Sequence, residues 1–354
     1  MSDSSFKDAN NRLDSAVRGV IERAQANRSM LRMVLVFVAA FALFAFLNPR
    51  VFLGSLNLQN IMVASPEIGV IAIAMMLSML TGGIDLSLVS IANLSAITMS
   101  TMFTAMVTGS GEFNEAMAVP VLLVGILVGV GCGLLNGVLI GIVGITPILA
   151  TLGTMQILNG VAIVWTGGST LYGAPATFTT FGKLAIGPVP MLFAVFIVAA
   201  ILIAFLVNST TLGRKIELQG ANPVAARFSG IRSKAVLIGS YAVGGALGGL
   251  AGFLFLARNP TASADYGASY VLLVIVIAVL GGTNPNGGFA SVAGVVIATL
   301  TLQVVSSGFT AMRLSSYQYA IAQGVILVAV MVIDAINWRK FRNKRPAPMA
   351  ATGK

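Results

Sequence analysis

The stretch Asn208–Lys234, NSTTLGRKIELQGANPVAARFSGIRSK, is a long water-compatible interruption in a chain otherwise apolar enough to sit in lipid. It carries Arg214, Lys215, Glu217, Arg227, Arg232 and Lys234. Within it Asn222-Pro223 reads as a helix start. An Asn side chain accepts bonds from the first free amides, and Pro at the first helical position has no amide to leave unpaired. Ala225, Ala226, Arg227 and Phe228 continue that helix and Gly230 stops it. A short capped helix presented between two spans has the form of a docking element. From spacing alone, an ordinary basic connection that fixes orientation reads equally well.

Composition agrees with a membrane setting. Hydrophobic residues make up 57% of the chain and charged ones 9%, with a mean hydropathy of +0.93. Soluble domains carry about a quarter charged residues, so the fold class is an all-α integral membrane protein. Histidine is absent and Cys132 is the single cysteine. That excludes a His-based catalytic triad, a His or multi-Cys metal site and an intrachain disulfide framework. The net charge of +10 is explained by where the charges fall, without nucleic acid as a partner.

Working outward, 1–32 is a polar basic arm in which Leu13, Val17, Val20 and Ile21 recur at helical spacing, as in a surface-lying helix. Met33–Leu47 is read as a retained first span, because Asn48-Pro49-Arg50 is no small-residue cleavage site. Further runs cover Ile61–Leu80, Leu86–Val107, Val119–Val143, Ile145–Thr166 and Met191–Val207. After the central loop come Ala235–Ala257, Ala268–Leu280, Ser291–Ser307 and Tyr317–Ile336. With about 20 residues per span, these make about ten transmembrane helices within a domain over 33–337, followed by a basic tail over 338–354. Ala268–Leu280 and Ser291–Ser307 are short, as tilted, broken or re-entrant segments are. With both termini in the cytoplasm, all of the 21 basic residues except Arg50, Lys183, Arg258 and Arg313 fall inside. The central helix is then cytoplasmic.

Gly125, Gly129, Gly133, Gly137 and Gly141 form one ladder, and Gly244, Gly248 and Gly252 a second. Such small-residue faces let helices approach closely in lipid. The chain breaks at Gly82-Gly83-Ile84-Asp85 and again at Gly281-Gly282 through Gly287-Gly288, six spans later. Paired Gly-rich interruptions in corresponding places mark binding regions of transporters. Intramembrane charge is sparse: Glu67, Asp85 and Asp334 show no basic partner in a neighbouring span, which disfavours ion coupling. Asp85 reads as a cap of the following helix. Neutral polar residues are commoner. Asn93, Asn136, Thr151, Thr154, Gln156 and Asn159 are the candidate lining of a translocation path, interhelical hydrogen bonding being the plainer use. No nucleophile–base pair and no G-x-x-x-x-G-K-[ST] phosphate loop is present, so the chain is read as a non-enzyme without its own ATP site.

Four stretches together carry a family resemblance: GGIDLSLVSIANLSA (Gly82–Ala96), ATLGTMQILNGVAIVWTGG (Ala150–Gly168), TLGRKIELQGANPVAARFSGI (Thr211–Ile231) and GGTNPNGGFASVAGVV (Gly281–Val296). The chain resembles the permease subunits of bacterial ABC sugar importers of the ribose/xylose type. The resemblance implies inward transport of a neutral sugar or sugar-like solute across the inner membrane. Its implied partners are a second permease, identical or related, two ATP-binding subunits or one duplicated ATPase chain, and a periplasmic solute-binding protein. No cofactor belongs to this chain; ATP and magnesium sit on the ATPase. The resemblance also makes Gly220, Asn222, Pro223, Ala225, Ala226, Arg227 and Gly230 the ATPase-coupling element. Where many sugar members read Tyr-Glu-Leu-Asp, this chain reads Tyr270-Val271-Leu272-Leu273, which leaves a pentose, hexose, deoxysugar, polyol or furanosyl signal open as solute. Two readings from other classes are an ion-coupled secondary transporter and a scaffold whose glycine ladders only assemble partners.

Overall fold

A computed structural model describes residues 30–325 apart from 32, 111–112 and 316, together with 328. The predicted amphipathic arm, Asp334, the end of the last span and the basic tail lie outside the described residues. Helices run in order as α1 (Met33–Leu47), α2 (Pro49–Phe52), α3 (Ser55–Leu80), α4 (Leu88–Ser110) and α5 (Ala118–Val138). They continue as α6 (Pro147–Thr166), α7 (Ala176–Lys183), α8 (Met191–Ser209), α9 (Thr211–Ala221) and α10 (Pro223–Phe228). The last are α11 (Ser233–Arg258), α12 (Tyr270–Leu280) and α13 (Val292–Ala311). Each of the first nine predicted apolar runs forms a helix. Among the described residues, seven helices are long and apolar enough to cross a membrane, and α1 and α12 are shorter apolar helices.

Two boundaries differ from expectation. The run read as Ser291–Ser307 is the full-length α13, which extends to Ala311, with Gly308 packed directly under the Phe44 ring of α1. The second span starts at Ser55 rather than Ile61: Asn57 inside the helix is satisfied by the Phe52 carbonyl at 2.9 Å and the Ser307 hydroxyl at 2.7 Å. By contrast α12 stays short. Its 11 residues rise only about 16 Å, against a hydrocarbon core of about 30 Å.

The core is built around α3 and α11. Every residue of α3 from Ala64 to Leu80 is buried, which is why its sequence is apolar all round rather than on one stripe. The glycine ladders set how close its neighbours come. On α5, Gly129 faces Gly245 and Gly249 of α11, Gly133 faces the Tyr241 carbonyl, and Gly137 faces Ile238. The other small face of α11 meets α4: Gly248 lies against Ile91, and Gly252 against the Ala92 carbonyl.

At the end of the bundle away from α10, two short antiparallel pairs strap the loops. Strand β1 (Leu171–Tyr172) pairs with β4 (Thr261–Ala262), and β2 (Ala185–Ile186) with β3 (Val189–Pro190). Glu115 caps α7 from a distant loop, accepting the Ala176 and Thr177 amides at 3.0 and 2.9 Å.

Candidate functional site

Between α8 and α11 the water-compatible stretch folds into two helices. The first, α9, was not legible as a helix in the sequence. Thr210 caps it by accepting the Gly213 amide at 3.1 Å. It buries Gly213, Ile216, Gln219 and Gly220 and turns Arg214, Lys215 and Glu217 outward. The second, α10, follows the expected chemistry. The Asn222 side-chain oxygen accepts the Val224 and Ala225 amides at 3.1 and 3.0 Å, and Pro223 occupies the first turn. At the far end Gly230 adopts φ +78°, and the Ile231 amide bonds back to the Ala226 carbonyl at 3.1 Å. That left-handed position is the reason a glycine stands there.

The faces of α10 are distributed unequally. Ala226 is 4% exposed and packs inward, whereas Asn222, Ala225 and Arg227 are exposed. Val224 and Phe228, one turn apart, are 65% and 90% exposed. Sequence reasoning passed over both as helix filler. The signal was an apolar pair spaced i, i+4 on an otherwise polar loop.

Beneath α10 the two glycine-rich breaks meet. The Gly288 amide donates to the Leu80 carbonyl at 3.1 Å. Gly287 touches the backbone of both Gly220 and Gly82, and Gly82 lies against Asn286. Gly82, Gly282, Gly287 and Gly288 all hold positive φ. Gly281 instead packs on Gly294 and Val295, and Gly83 fits between the Tyr241 hydroxyl and the Pro147 ring. The breaks and the end of α9 are thus one backbone-to-backbone junction that leaves almost no room for side chains.

The path candidates divide by what they touch. Asn136 donates to the Ser87 hydroxyl at 2.7 Å, and that hydroxyl and the Ser87 amide bond Asp85 at 2.6 and 3.0 Å. Asp85 therefore holds Ser87, the residue just before α4, through its amide and hydroxyl, rather than capping several amides of the helix. Thr151 accepts the Leu86 amide at 3.1 Å and reaches the Pro147 carbonyl at 2.8 Å. Asn136 and Thr151 brace the 82–87 segment. Asn93 does the same for another loop, donating to the carbonyls of Ala264 and Tyr266 at 2.8 and 2.9 Å. Thr154 bonds its own helix at the Thr151 carbonyl. Asn159 is half-buried with its side-chain oxygen unpaired, and Gln156 opens to the surface of α6.

The expectation that Glu67 lacks a basic partner is corrected. Arg258, at the end of α11, forms an ion pair with it. The Tyr266 hydroxyl donates to the same carboxylate at 3.2 Å, and that of Tyr270 approaches it at 3.5 Å. The partners are 191 positions apart, and the arginine counted with the external loop is in fact the last residue of α11, reaching Glu67 on α3.

Residues 57–333 match the family model described as branched-chain amino acid transport system / permease component. The chain belongs to this permease family. Among its relatives, the galactose/methyl galactoside import permease of Escherichia coli (strain K12) is 30% identical, over 86% of this chain and 94% of that protein. The D-allose transport system permease of the same organism is 31% identical over 83% and 88%. The autoinducer 2 import system permease of Yersinia enterocolitica is 30% identical over 87% and 92%. No solved structure matches the chain significantly. The permease is a transporter component of the ABC import type, a class that works with ATPase and solute-binding partners. It is a multi-pass inner-membrane protein.

Proposed function

We propose that this permease carries a neutral sugar or sugar-like solute inward, driven by ATP hydrolysed with magnesium on separate ATPase chains, and has no catalytic residues of its own. Both termini and α10 face the cytoplasm, and a periplasmic binding protein delivers the solute to the opposite end. Two permeases, identical or related, frame the path, and two ATP-binding subunits or one duplicated chain dock beneath them.

The observation that carries this reading is the placement of α10. The helix is capped at both ends and joined to α9 by the single residue Asn222. It points Val224 and Phe228 away from the bundle. An exposed apolar pair on a rigid helix is an anchor for a groove on a partner. Directly behind it, the Gly82, Gly220 and Gly288 junction joins α3, α9 and the loop before α13. A displacement of α10 is then transmitted to spans at both ends of the chain. The relatives that import galactose, allose and autoinducer 2 support a polyhydroxylated solute. An ion-coupled transporter is not favoured, because the buried Glu67 carboxylate is neutralised by Arg258.

The test is purification from native membranes in mild detergent, followed by uptake in vesicles. Co-purification of an ATPase and a binding protein, with uptake that requires ATP, is the expected result. Uptake into ATP-free vesicles driven by an ion gradient would replace this reading with a secondary transporter.

A further inference from the structure

Residues 263–269, between β4 and α12, form a non-helical segment. Asn93 grips it through the Ala264 and Tyr266 carbonyls. Asn93 follows Ala92, whose carbonyl lies against Gly252 of α11. Gly252 is six residues before Arg258, the last residue of that helix, or about 9 Å below it at 1.5 Å per residue. The 26 residues of α11 span about 39 Å, so a core of about 30 Å leaves an overhang of a few Å at each end. With α11 taken as spanning the bilayer, the Ala264 and Tyr266 carbonyls held by Asn93 lie a few Å inside the lipid slab. Irregular backbone is tolerated there only where protein or a water-filled cavity covers it.

The segment is also braced by local bonds and ring contacts. The Ala268 amide bonds the Asp265 carbonyl at 3.2 Å and the Tyr270 amide bonds the Gly267 carbonyl at 2.7 Å. Gly267 turns at φ +64°. The Tyr266 ring sits 4.6 Å from that of Phe255, and the hydroxyls of Tyr266 and Tyr270 are held by Glu67. From this fixed loop Asp265, Ala268 and Ser269 are exposed. The Asp265 amide is satisfied by Ser263. Among the described residues, however, its carboxylate has no partner, and Ser269 makes no side-chain cap on α12. An unpaired carboxylate at this depth cannot face hydrocarbon. With Arg258 already spent on Glu67, the loop keeps a net negative charge that repels anions.

We propose that Asp265 and Ser269 form a subsite of the translocation path that hydrogen-bonds the hydroxyl groups of a neutral polyhydroxylated solute. The inference rests on the import reading above. The carboxylate accepts solute hydroxyls, Ser269 supplies a second donor and acceptor four positions on in the same exposed loop, and the braced loop keeps both in place before the solute arrives.

The experiment reconstitutes the complete importer in vesicles, with radiolabelled neutral aldopentoses and aldohexoses as probes and their singly deoxygenated analogues as competitors. Stimulation of the ATPase by loaded binding protein is measured alongside uptake. For Asp265→Ala, uptake falls about tenfold, the loss of one hydrogen bond to a charged group. The ATPase stimulation stays, and discrimination against one deoxy analogue disappears. Asp265→Asn, which keeps an acceptor of the same shape, retains part of the uptake. Unchanged uptake in both variants, or unchanged discrimination against every analogue, would overturn the subsite while leaving the importer standing. Absence of ATPase stimulation in the wild-type complex would instead overturn the import reading and the subsite with it.

Discussion

A Cβ on Gly220 would stand 1.9 Å from the Leu80 carbonyl oxygen and 2.7 Å from the Gly288 amide nitrogen. The end of α9 is thus in backbone contact with the end of α3 and with the second glycine-rich break. Gly220→Ala forces that junction apart, and overpacking of this kind costs about 1–3 kcal/mol. The expected outcome is a lower unfolding temperature in detergent and weaker coupling of ATP hydrolysis to uptake. A variant that melts and couples like the wild type would show that the junction yields easily.

The ladder of α5 supports a paired comparison. At Gly133 an added Cβ would lie 2.2 Å from the Tyr241 carbonyl oxygen, whereas at Gly131, two residues earlier, nothing lies within 4 Å. Gly133→Leu is therefore expected to cut the folded yield severely, because α5 cannot stay on α11. Gly131→Leu is expected to leave the yield near wild type, since its side chain enters open space. Size-exclusion profiles of the two variants check this, and equal losses would mean that helix propensity or insertion decides the yield rather than packing.

On α10 the residue that packs inward, Ala226, is distinct from the exposed Val224 and Phe228, which on the reading proposed above meet the ATPase. Truncating Phe228 to Ala removes an exposed ring and leaves the fold intact. Anchors of this kind cost about 2 kcal/mol or more when truncated, roughly a thirtyfold weaker association. Binding of the ATPase chain to Phe228→Ala and Val224→Ala, measured in detergent or nanodiscs, should fall while the unfolding temperature holds. Ala226→Asp, in contrast, places a charge on the inward face and should destabilise α10 itself along with transport.

What the sequence made legible follows from how local each signal is. The Asn222 cap, the Gly230 stop and the ladders rest on contacts within a turn or on a fixed spacing, so the residues announced them. The short α12 was legible for the same reason: its apolar run is simply too brief. The Glu67–Arg258 pair was not, because a span's charge and a loop's charge 191 positions apart meet only once α3 and α11 lie side by side. The particular partners of Asn136 and Thr151 were equally hidden, although interhelical hydrogen bonding is the plainer reading of both. Their residue types fit a polar path, yet both are fully buried against the 82–87 segment. Which face an amide turns to is a tertiary fact. Asp265 escaped notice because it sits in a loop counted as external, and that loop's tie to Asn93 of α4 is a tertiary contact.

The Glu67–Arg258 pair predicts an asymmetry. The Glu67 side chain is 2% exposed and that of Arg258 32% exposed. Arg258→Ala strands a buried carboxylate; full burial of such a pair would cost about 3–5 kcal/mol, and the partial exposure of Arg258 makes the loss smaller. In Glu67→Gln the arginine keeps its half-exposed position and can swing its long arm outward, while the Gln amide still bonds Tyr266. Arg258→Ala should therefore lower the unfolding temperature more than Glu67→Gln. Combining the two should recover much of the loss, because the stranded charge is gone. Thermal unfolding of the single and double variants in one detergent measures this as an interaction energy. Strict additivity would mean that Tyr266 and Tyr270 hold the carboxylate without help from the arginine.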